Sequence, residues 1–386
     1  MVENRNMLVS IIVPVYNAEK FVHDAVVSAL QQPEVAEVIL VEDGSTDGSL
    51  KVCMELAAKY EKVFLYQHPG GLNLGAGASR NLGIRESNCE YIAFLDADDL
   101  YLPDRFSSAR EIFKADPFID GVYEALGVYV ENEAALERWL AKTIQPLGEL
   151  TTMSVRVAPE QLYKELVNGR YGYFSLDCVT VKRNVFTRTG LFNERLRLHQ
   201  DTDMTWKMAA VARLLPGRLD EPVALRRIHE NNRISAQRPA SEIYRNNMLL
   251  FEEAWSWGCK NLDGANLQVL LNALIGKQIY ISWKQPDYCL SFVDHLCQNL
   301  PDSINQKDLK RLTRGNARKK LGIKQVEHGF KRIGYRYIVN GILIAPEIID
   351  LGLFALFAEL FLGKKIVNQL LLAWHKKYYG RKAAGW

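Results

Sequence analysis

The chain lacks any cysteine pair spaced for a metal or a redox couple. Cys53, Cys89, Cys178, Cys259, Cys289 and Cys297 are scattered, with no CxxC and no neighbouring His ligands. This excludes an ordinary zinc site and reads as reduced packing thiols in a cytoplasmic protein. A signal peptide is not evident either: Met1 to Met7 is polar, and the apolar run Val9 to Val15 is short and ends in a turn. The expectation is a protein that stays inside the cell. No internal repeat and no low-complexity segment is evident. With 48% hydrophobic and 24% charged residues, the composition excludes a disordered chain or a coiled coil, and 386 residues are enough for about two domains. Net charge is low, at +3, but it is unevenly spread: from Pro301 onward 17 Lys and Arg face 6 Asp and Glu, a net of +11, which leaves −8 on the preceding 300 residues. A basic tail on a mildly acidic body suggests an anionic partner for the tail, such as a membrane surface or an acidic polymer.

What is present is a rhythm of strands and helices. Val9 to Val15 (VSIIVPV), Glu37 to Val41 (EVILV), Val63 to Gln67 and Tyr91 to Leu95 are apolar, β-rich runs. Between them lie helical patterns through Phe21 to Leu30 and Ser49 to Tyr60, and a glycine-rich turn, Gly70 to Gly83, that enters a third helix. Such alternation predicts a doubly wound α/β sheet, whose ligands bind at the carboxyl ends of the strands. Tyr16, Asp43 and the cluster Asp96, Asp98 and Asp99 all fall at those ends. Alternate side chains leave a strand on one face, so Asp96 and Asp98 can converge on a cation while Ala97 leaves room for a ligand. Oxygen ligands suit Mg²⁺ or Mn²⁺ holding a diphosphate. The plain alternative is that Asp98 or Asp99 caps a helix following Pro103. A GxGxxG fingerprint after the first strand is absent, which argues against a dinucleotide-binding dehydrogenase. Gly75, Gly77 and Ala78 read instead as a helix start open to a nucleotide or diphosphate.

Four motifs in order between Val9 and Pro103, VSIIVPVYNAEKFV, ILVEDGSTDGS, GASRNLG and YIAFLDADD, resemble the nucleotide-binding half of a family 2 glycosyltransferase. The resemblance implies the GT-A fold: an α/β, doubly wound mixed sheet, here with a C-terminal helical extension. By position it implies that Pro14, Val15 and Tyr16 line the base pocket and that Asp43 hydrogen-bonds the base. Arg80 and Asn81 belong to the donor side, with Asp96 and Ala97 near the ribose, and Asp98 with Asp96 on the metal. Glu42 stands where the family more often has Asp.

Glycosyl transfer needs a stabilised leaving diphosphate and an activated acceptor hydroxyl, and a single base opposite the leaving group implies inversion. A second acidic element is therefore expected downstream. His199 to Met208, HQDTDMTWKM, offers Asp201 and Asp203 before a helical run. In isolation the two read as a capping pair. The resemblance to the family's ED motif implies that Asp201 is the base, with Gln200 in place of Glu. Arg226 to Ser235, RRIHENNRIS, resembles the family's Arg-x-His loop over the diphosphate. This implies Arg227 on the donor and His229 on the metal, while Arg226 and Arg233 also read as surface charges. Tyr171 to Val181 and the following LFNE resemble the acceptor side, where Asp177 would line the acceptor or act as a buried cap.

After Pro239 the pattern is helical, over Ile243 to Trp257, Leu267 to Trp283 and Tyr288 to Leu300. Trp255, Trp257 and Trp283 read as core in preference to sugar platforms. Lys307 to Lys331 reads as a basic linker. Gly341 to Leu362 is nearly long enough to span a bilayer, but Pro346, Glu347, Asp350 and Glu359 interrupt it. Flanked by Lys364 to Lys382, it fits an interfacial helix, or one packed on protein. The expected domains are residues 1–238 (glycosyltransferase), 239–300 (helical extension) and 301–386 (basic linker and amphipathic helices). The leading reading is an inverting, metal-dependent transferase using a nucleotide sugar, with a UDP-sugar favoured by the family's habit. Its acceptor would be a glycan or lipid-linked hydroxyl, in surface polysaccharide or glycolipid assembly; no nucleic-acid partner is expected. The competing reading, kept open by Gln200, is a non-catalytic nucleotide-sugar-binding scaffold. A nucleotidyltransferase would need a Gly-rich loop with Arg and Lys after the first strand, which VPVYNAEK does not resemble.

Overall fold

The computed structural model describes residues 7–142, 150–229, 232, 238–300 and 306–348. Arg233, Ser235 and the expected interfacial helix beyond residue 348 lie outside the described residues. The chain forms two compact units, the first ending at Leu270 and the second beginning at Leu271. The boundaries expected at residues 238 and 300 do not coincide with that division.

In the first unit β1 (Val9–Val15), α1 (Val22–Leu30), β2 (Val35–Glu42), α2 (Ser49–Lys59), β3 (Val63–Gln67), α3 (Ala76–Glu86) and β4 (Tyr91–Phe94) alternate as the sequence predicts. They are followed by β5 (Leu100–Tyr101), α4 (Ser107–Ala115), β6 (Gly121–Tyr123), β7 (Ala125–Val130), α5 (Glu133–Lys142) and α6 (Pro159–Asn168). Then come β8 (Val179–Lys182), α7 (Val185–Thr189), α8 (Gln200–Val211), β9 (Leu214–Pro216), β10 (Pro222–Ile228) and α9 (Ala240–Asn261). A seven-stranded sheet runs β3-β2-β1-β4-β8-β6-β9. The strands from β3 to β4 are parallel, β8 is antiparallel to both β4 and β6, and β9 is parallel to β6, so the sheet is mixed. The central strands bury both faces: Ile11, Ile12, Val13, Val38 and Leu40 are inaccessible, as uninterrupted β-branched and apolar runs require. α3 lies close on this sheet because Gly83 has no side chain. A Cβ there would stand 2.4 Å from Cγ2 of Ile12.

A second sheet, β5-β10-β7, positions the site. Its register pairs Leu225 with Leu100 and Ala224 with Tyr101. This draws the end of β10 beside the turn that follows β4. Two sequence alternatives fail here. Asp98 and Asp99 cap no helix, because the chain passes directly into β5 and the next helix starts at Ser107. Arg226 to Ile228 are strand residues, so the predicted loop over the diphosphate can begin only at His229.

α10 (Gly264–Ser282) crosses the division between the units, and α11 (Pro286–Gln298), α12 (Gln306–Glu327) and α13 (Lys331–Ile344) follow. The basic stretch expected as a linker is thus a 22-residue helix. It pairs with α13 through glycines seven residues apart on each helix. A Cβ on Gly322 would stand 2.5 Å from the Gly334 carbonyl oxygen, and one on Gly341 would stand 2.7 Å from that of Gly315. Backbone meets backbone, so nothing flexible can yield. Gly322→Val should destabilise the protein by about 1–3 kcal/mol, the usual range for overpacking. An unchanged thermal unfolding midpoint for the variant would overturn this account of the hairpin.

Candidate active site

The parallel strands β1, β2 and β4 end together, and the site grows from the residues just past them. Val15 itself is core, so only its backbone faces the site: its carbonyl accepts the Asp43 N–H at 2.8 Å. Pro14 is half-buried and Tyr16, at 49% exposure, stands open at the rim. Asp43 is 3% exposed, and its carboxylate anchors the glycine loop, accepting Leu74 N–H at 2.8 Å and Gly75 N–H at 2.9 Å. His68 Nε2 lies 3.5 Å behind it and 3.0 Å from Ser79 Oγ. Gly75 takes φ +92°, and a Cβ there would meet Nη1 of Arg197 at 2.5 Å, so glycine is required at this bend. Gly77, expected to open the helix start to a ligand, faces protein instead: a Cβ there would be in ordinary contact, at 3.7 Å, with Phe192, Asn193 and Gln200. Glu42 is used internally. Burial works to raise its pKa, but the Ser45 N–H and hydroxyl and the Gln67 amide outweigh this and hold it below the usual carboxylate range.

The acid turn after β4 divides into two sets. Asp98 faces β10: its Oδ2 is 3.0 Å from His229 Nε2. Asp96, its side chain half-exposed, accepts Arg80 Nη2 at 2.5 Å, and its N–H donates to Asp177 Oδ1 at 2.9 Å. Among the described residues the acids whose ligand atoms lie within 4.8 Å of one another are Asp96, Asp99 and Asp177, in place of the expected Asp96, Asp98 and His229. Burial raises the Asp177 pKa to about 6, with the Asp96 charge adding to it. Burial also lifts Asp99 well above its ordinary value, helped by the charges of Asp177, Asp98 and Asp96. Arg226 faces this pair; burial opposes its charge, but Asp99 and Asp177 hold its pKa above the ordinary value. The sequence named Asp177 only for the acceptor side or as a buried cap. It lies at 2% exposure beneath Asp96. An all-oxygen set suits a hard divalent cation. So does the Asp98–His229 spacing, since adjacent ligands of an octahedral cation with ~2.1 Å bonds stand about 3 Å apart.

Three cationic or amide side chains expected at the donor, and the His229 expected on the metal, now have distinct places. Arg80 is 4% exposed, paired to Asp96 through Nη2, while its Nε and Nη1 find no partner. Asn81 is committed to the fold. Its Oδ1 accepts Phe192 N–H at 2.8 Å, and its Nδ2 donates to the Phe192 carbonyl and Glu194 Oε1, each at 2.9 Å, which leaves no N–H for a donor. Arg227 braces the acid turn: Nε donates to the Asp98 carbonyl, Nη2 donates to Asp24 Oδ2, each at 3.1 Å, and the guanidinium lies over Phe21. His229 packs against the same ring, tilted by 35° with centroids 4.3 Å apart. Ala97 is 6% exposed, small enough to keep the turn compact.

The downstream acids separate by burial. Asp201 is exposed in the first turn of α8, its Oδ1 accepting the Thr202 N–H at 2.8 Å. Asp203 is 1% exposed and ion-paired with Lys207 at 2.5 Å, a structural pair. Neither caps the helix. His199 precedes it in the left-handed region, φ +64°, with no side-chain cap. His, with Asn and Asp, is among the non-glycine residues that most often take this conformation. Gln200 is buried, with its Oε1 unpartnered. Trp255 is buried, as the core reading expects.

Residues 10–168 match the family model described as Glycosyl transferase family 2. An uncharacterized glycosyltransferase of Rickettsia felis is 30% identical over 225 residues, 57% of this chain and 34% of the relative. One from Haemophilus influenzae is 40% identical over 99 residues, 25% of this chain and 39% of the relative. The chain thus spans a little over a third of the length of these relatives. Among solved structures, Staphylococcus aureus TarS residues 1–349 in complex with UDP-GlcNAc aligns with TM-score 0.55 at 18% identity, covering 86% of this chain and 91% of that one. This likeness places the fold with the GT-A glycosyltransferases. Motifs, fold and family match agree over residues 10–168, the part of the chain that is similar to glycosyltransferase family 2.

Proposed function

We propose that this protein transfers a sugar, with inversion, from a nucleoside diphosphate donor to a hydroxyl of a glycan or lipid-linked acceptor. The observation that carries this reading is Arg80. Its buried guanidinium lies over the Phe192 ring and has one hydrogen-bonding partner, Asp96, which leaves Nε and Nη1 without a hydrogen bond at the carboxyl ends of the parallel strands. Such groups are costly unless an anion meets them, and a diphosphate is the anion a family 2 enzyme brings there. UDP is favoured because TarS, which shares the fold, was solved with UDP-GlcNAc. Pro14, Tyr16 and Asp43 frame the base, and Asp201 takes the acceptor proton. Asp98 and His229 would hold Mg²⁺ or Mn²⁺, which when bound neutralises charge on the leaving diphosphate, while Asp96 stays paired with Arg80. Arg227 keeps Asp98 in place from behind. The setting is the inner face of the cell membrane, with the protein peripheral. No helix among the described residues is long and apolar enough to cross a membrane.

Calorimetric titration of UDP and GDP with and without Mn²⁺ tests the donor site. UDP should bind with Mn²⁺, and Asp98→Ala should weaken that binding about tenfold or more, the scale of losing one ligand or its support. Equal binding of UDP with and without Mn²⁺, unchanged in the variant, would remove Asp98 and the metal from the reading.

A further inference from the structure

The hairpin of α12 and α13 is used by no part of the proposed transfer, yet it carries an unusual surface. Residues 306–348 contain 11 Lys and Arg against 3 Asp and Glu, a net of +8. Two of the three acids are already engaged: Glu347 accepts from both Nη atoms of Arg311 at 2.7 and 2.8 Å, and Glu327 lies 3.5 Å from Lys324. The hairpin therefore cannot neutralise itself. α13 is sharply two-sided. Gly334, Ile338, Gly341 and Ala345 recur at steps of four, three and four and are buried. Arg332, Arg336, Val339 and Leu343 recur with the same steps on the opposite side, and all are exposed, Leu343 at 75%. The glycine contacts to α12 hold that outer side at a fixed orientation to the hairpin.

We infer that the outward side of α13 docks on an anionic lipid surface. Along this one side two arginines are followed by two apolar residues, so a helix lying on a bilayer interface offers charge to the lipid phosphates and Val339 and Leu343 to the acyl boundary. A second copy of this chain would set +8 against +8. A nucleic acid would meet the arginines but leave Val339 and Leu343 without a partner. A helix of 14 residues is about 21 Å long and fits lying in the interface, not spanning it. This deepens the lipid-linked-acceptor reading above by naming the surface that would bring the enzyme to its acceptor.

The test is co-sedimentation of the full chain with phosphatidylcholine vesicles, with and without one third phosphatidylglycerol, alongside Mn²⁺-dependent UDP titration on the same samples. Binding should require the anionic lipid and weaken as salt rises. Arg332→Glu/Arg336→Glu should bind about thirtyfold more weakly or worse, since each charge near such a surface contributes about 1 kcal/mol. Val339→Ser/Leu343→Ser should lose about tenfold at unchanged charge. Helical circular dichroism and UDP affinity should stay at parent values in both, which separates loss of docking from misfolding and from failure of the donor site. Parent-level vesicle binding by the arginine variant would overturn the inference. So would equal binding to neutral vesicles, or a self-association in solution that Leu343→Ser abolishes while vesicles bind nothing.

Discussion

Asp201→Asn is expected to leave UDP affinity unchanged and to slow UDP release from a UDP-sugar by about 10²–10⁴-fold, the contribution typical of a positioned general base. The substitution is close to isosteric, and the Thr202 N–H that now meets Asp201 Oδ1 can meet the amide oxygen instead. What disappears is the capacity to take a proton from the acceptor hydroxyl, or from water when no acceptor is supplied. Asp203, two residues on, provides the contrast. Its carboxylate is buried against Lys207, so Asp203→Asn strands a buried ammonium and should show first as lost stability. The comparison is made by following UDP release with a panel of UDP-sugars and by thermal unfolding of each variant. A fast Asp201→Asn and a folded but inactive Asp203→Asn would exchange the two roles.

Arg105→Met should cost about 3–5 kcal/mol of stability, the range for breaking a buried ion pair from one side. Arg105 and Glu124 are both inaccessible, joined at 2.9 Å between Nη1 and Oε2. Arg105 also donates from Nε and Nη2 to the Asp177 carbonyl and lies over the rings of Phe106 and Tyr101. The loss should depend on pH. Burial already raises the Glu124 pKa above its ordinary value despite the lowering influence of Arg105 and Arg218. Without Arg105 it rises further, so the folded protein holds the proton more tightly than the unfolded chain. A group of this sign favours folding below its unfolded pKa and loses that contribution as pH rises through the folded value. The deficit of the variant, measured by urea unfolding, should therefore be smaller at pH 5 than at pH 8. Arg105→Met/Glu124→Leu should recover much of it, because the stranded carboxylate is gone. A deficit independent of pH and untouched by the second substitution would mean that the ring and carbonyl contacts of Arg105, not Glu124, account for it.

Legibility in the sequence followed the range of the contacts. β1, β3 and the start of β4 could be read nearly residue by residue, because an apolar β-branched run bounded by turns is a local signal. The acid turn and Arg80 were readable from four ordered motifs. The basic helix α12 was not. Lys and Arg at most of its positions mask helical periodicity, although glycines at 315, 322, 334 and 341 marked the contact surface. Asn81 shows the opposite limit. Its place in a recognisable motif suggested a ligand, while its amide is consumed by Phe192 and Glu194, more than a hundred residues away. Arg105 carried no local sign of its importance, and Asp177 could be placed only on the acceptor side or as a buried cap, since burial of a charge depends on partners that only the folded chain brings together.

The pairing of Leu100 with Leu225 spans 125 residues of chain. At ribosomal rates of about 5–20 residues per second, the acid turn waits roughly 6–25 s for the strand that carries Arg226, Arg227 and His229. During that interval Asp96, Asp98 and Asp99 repel one another with no counter-charge from β10. The nascent chain therefore has a region that stays open until β10 has been made, and its nucleotide affinity can appear only after β10 has docked. Ligand capture by ribosome-bound chains of increasing length would then act as a clock for the closing step of folding in the first unit.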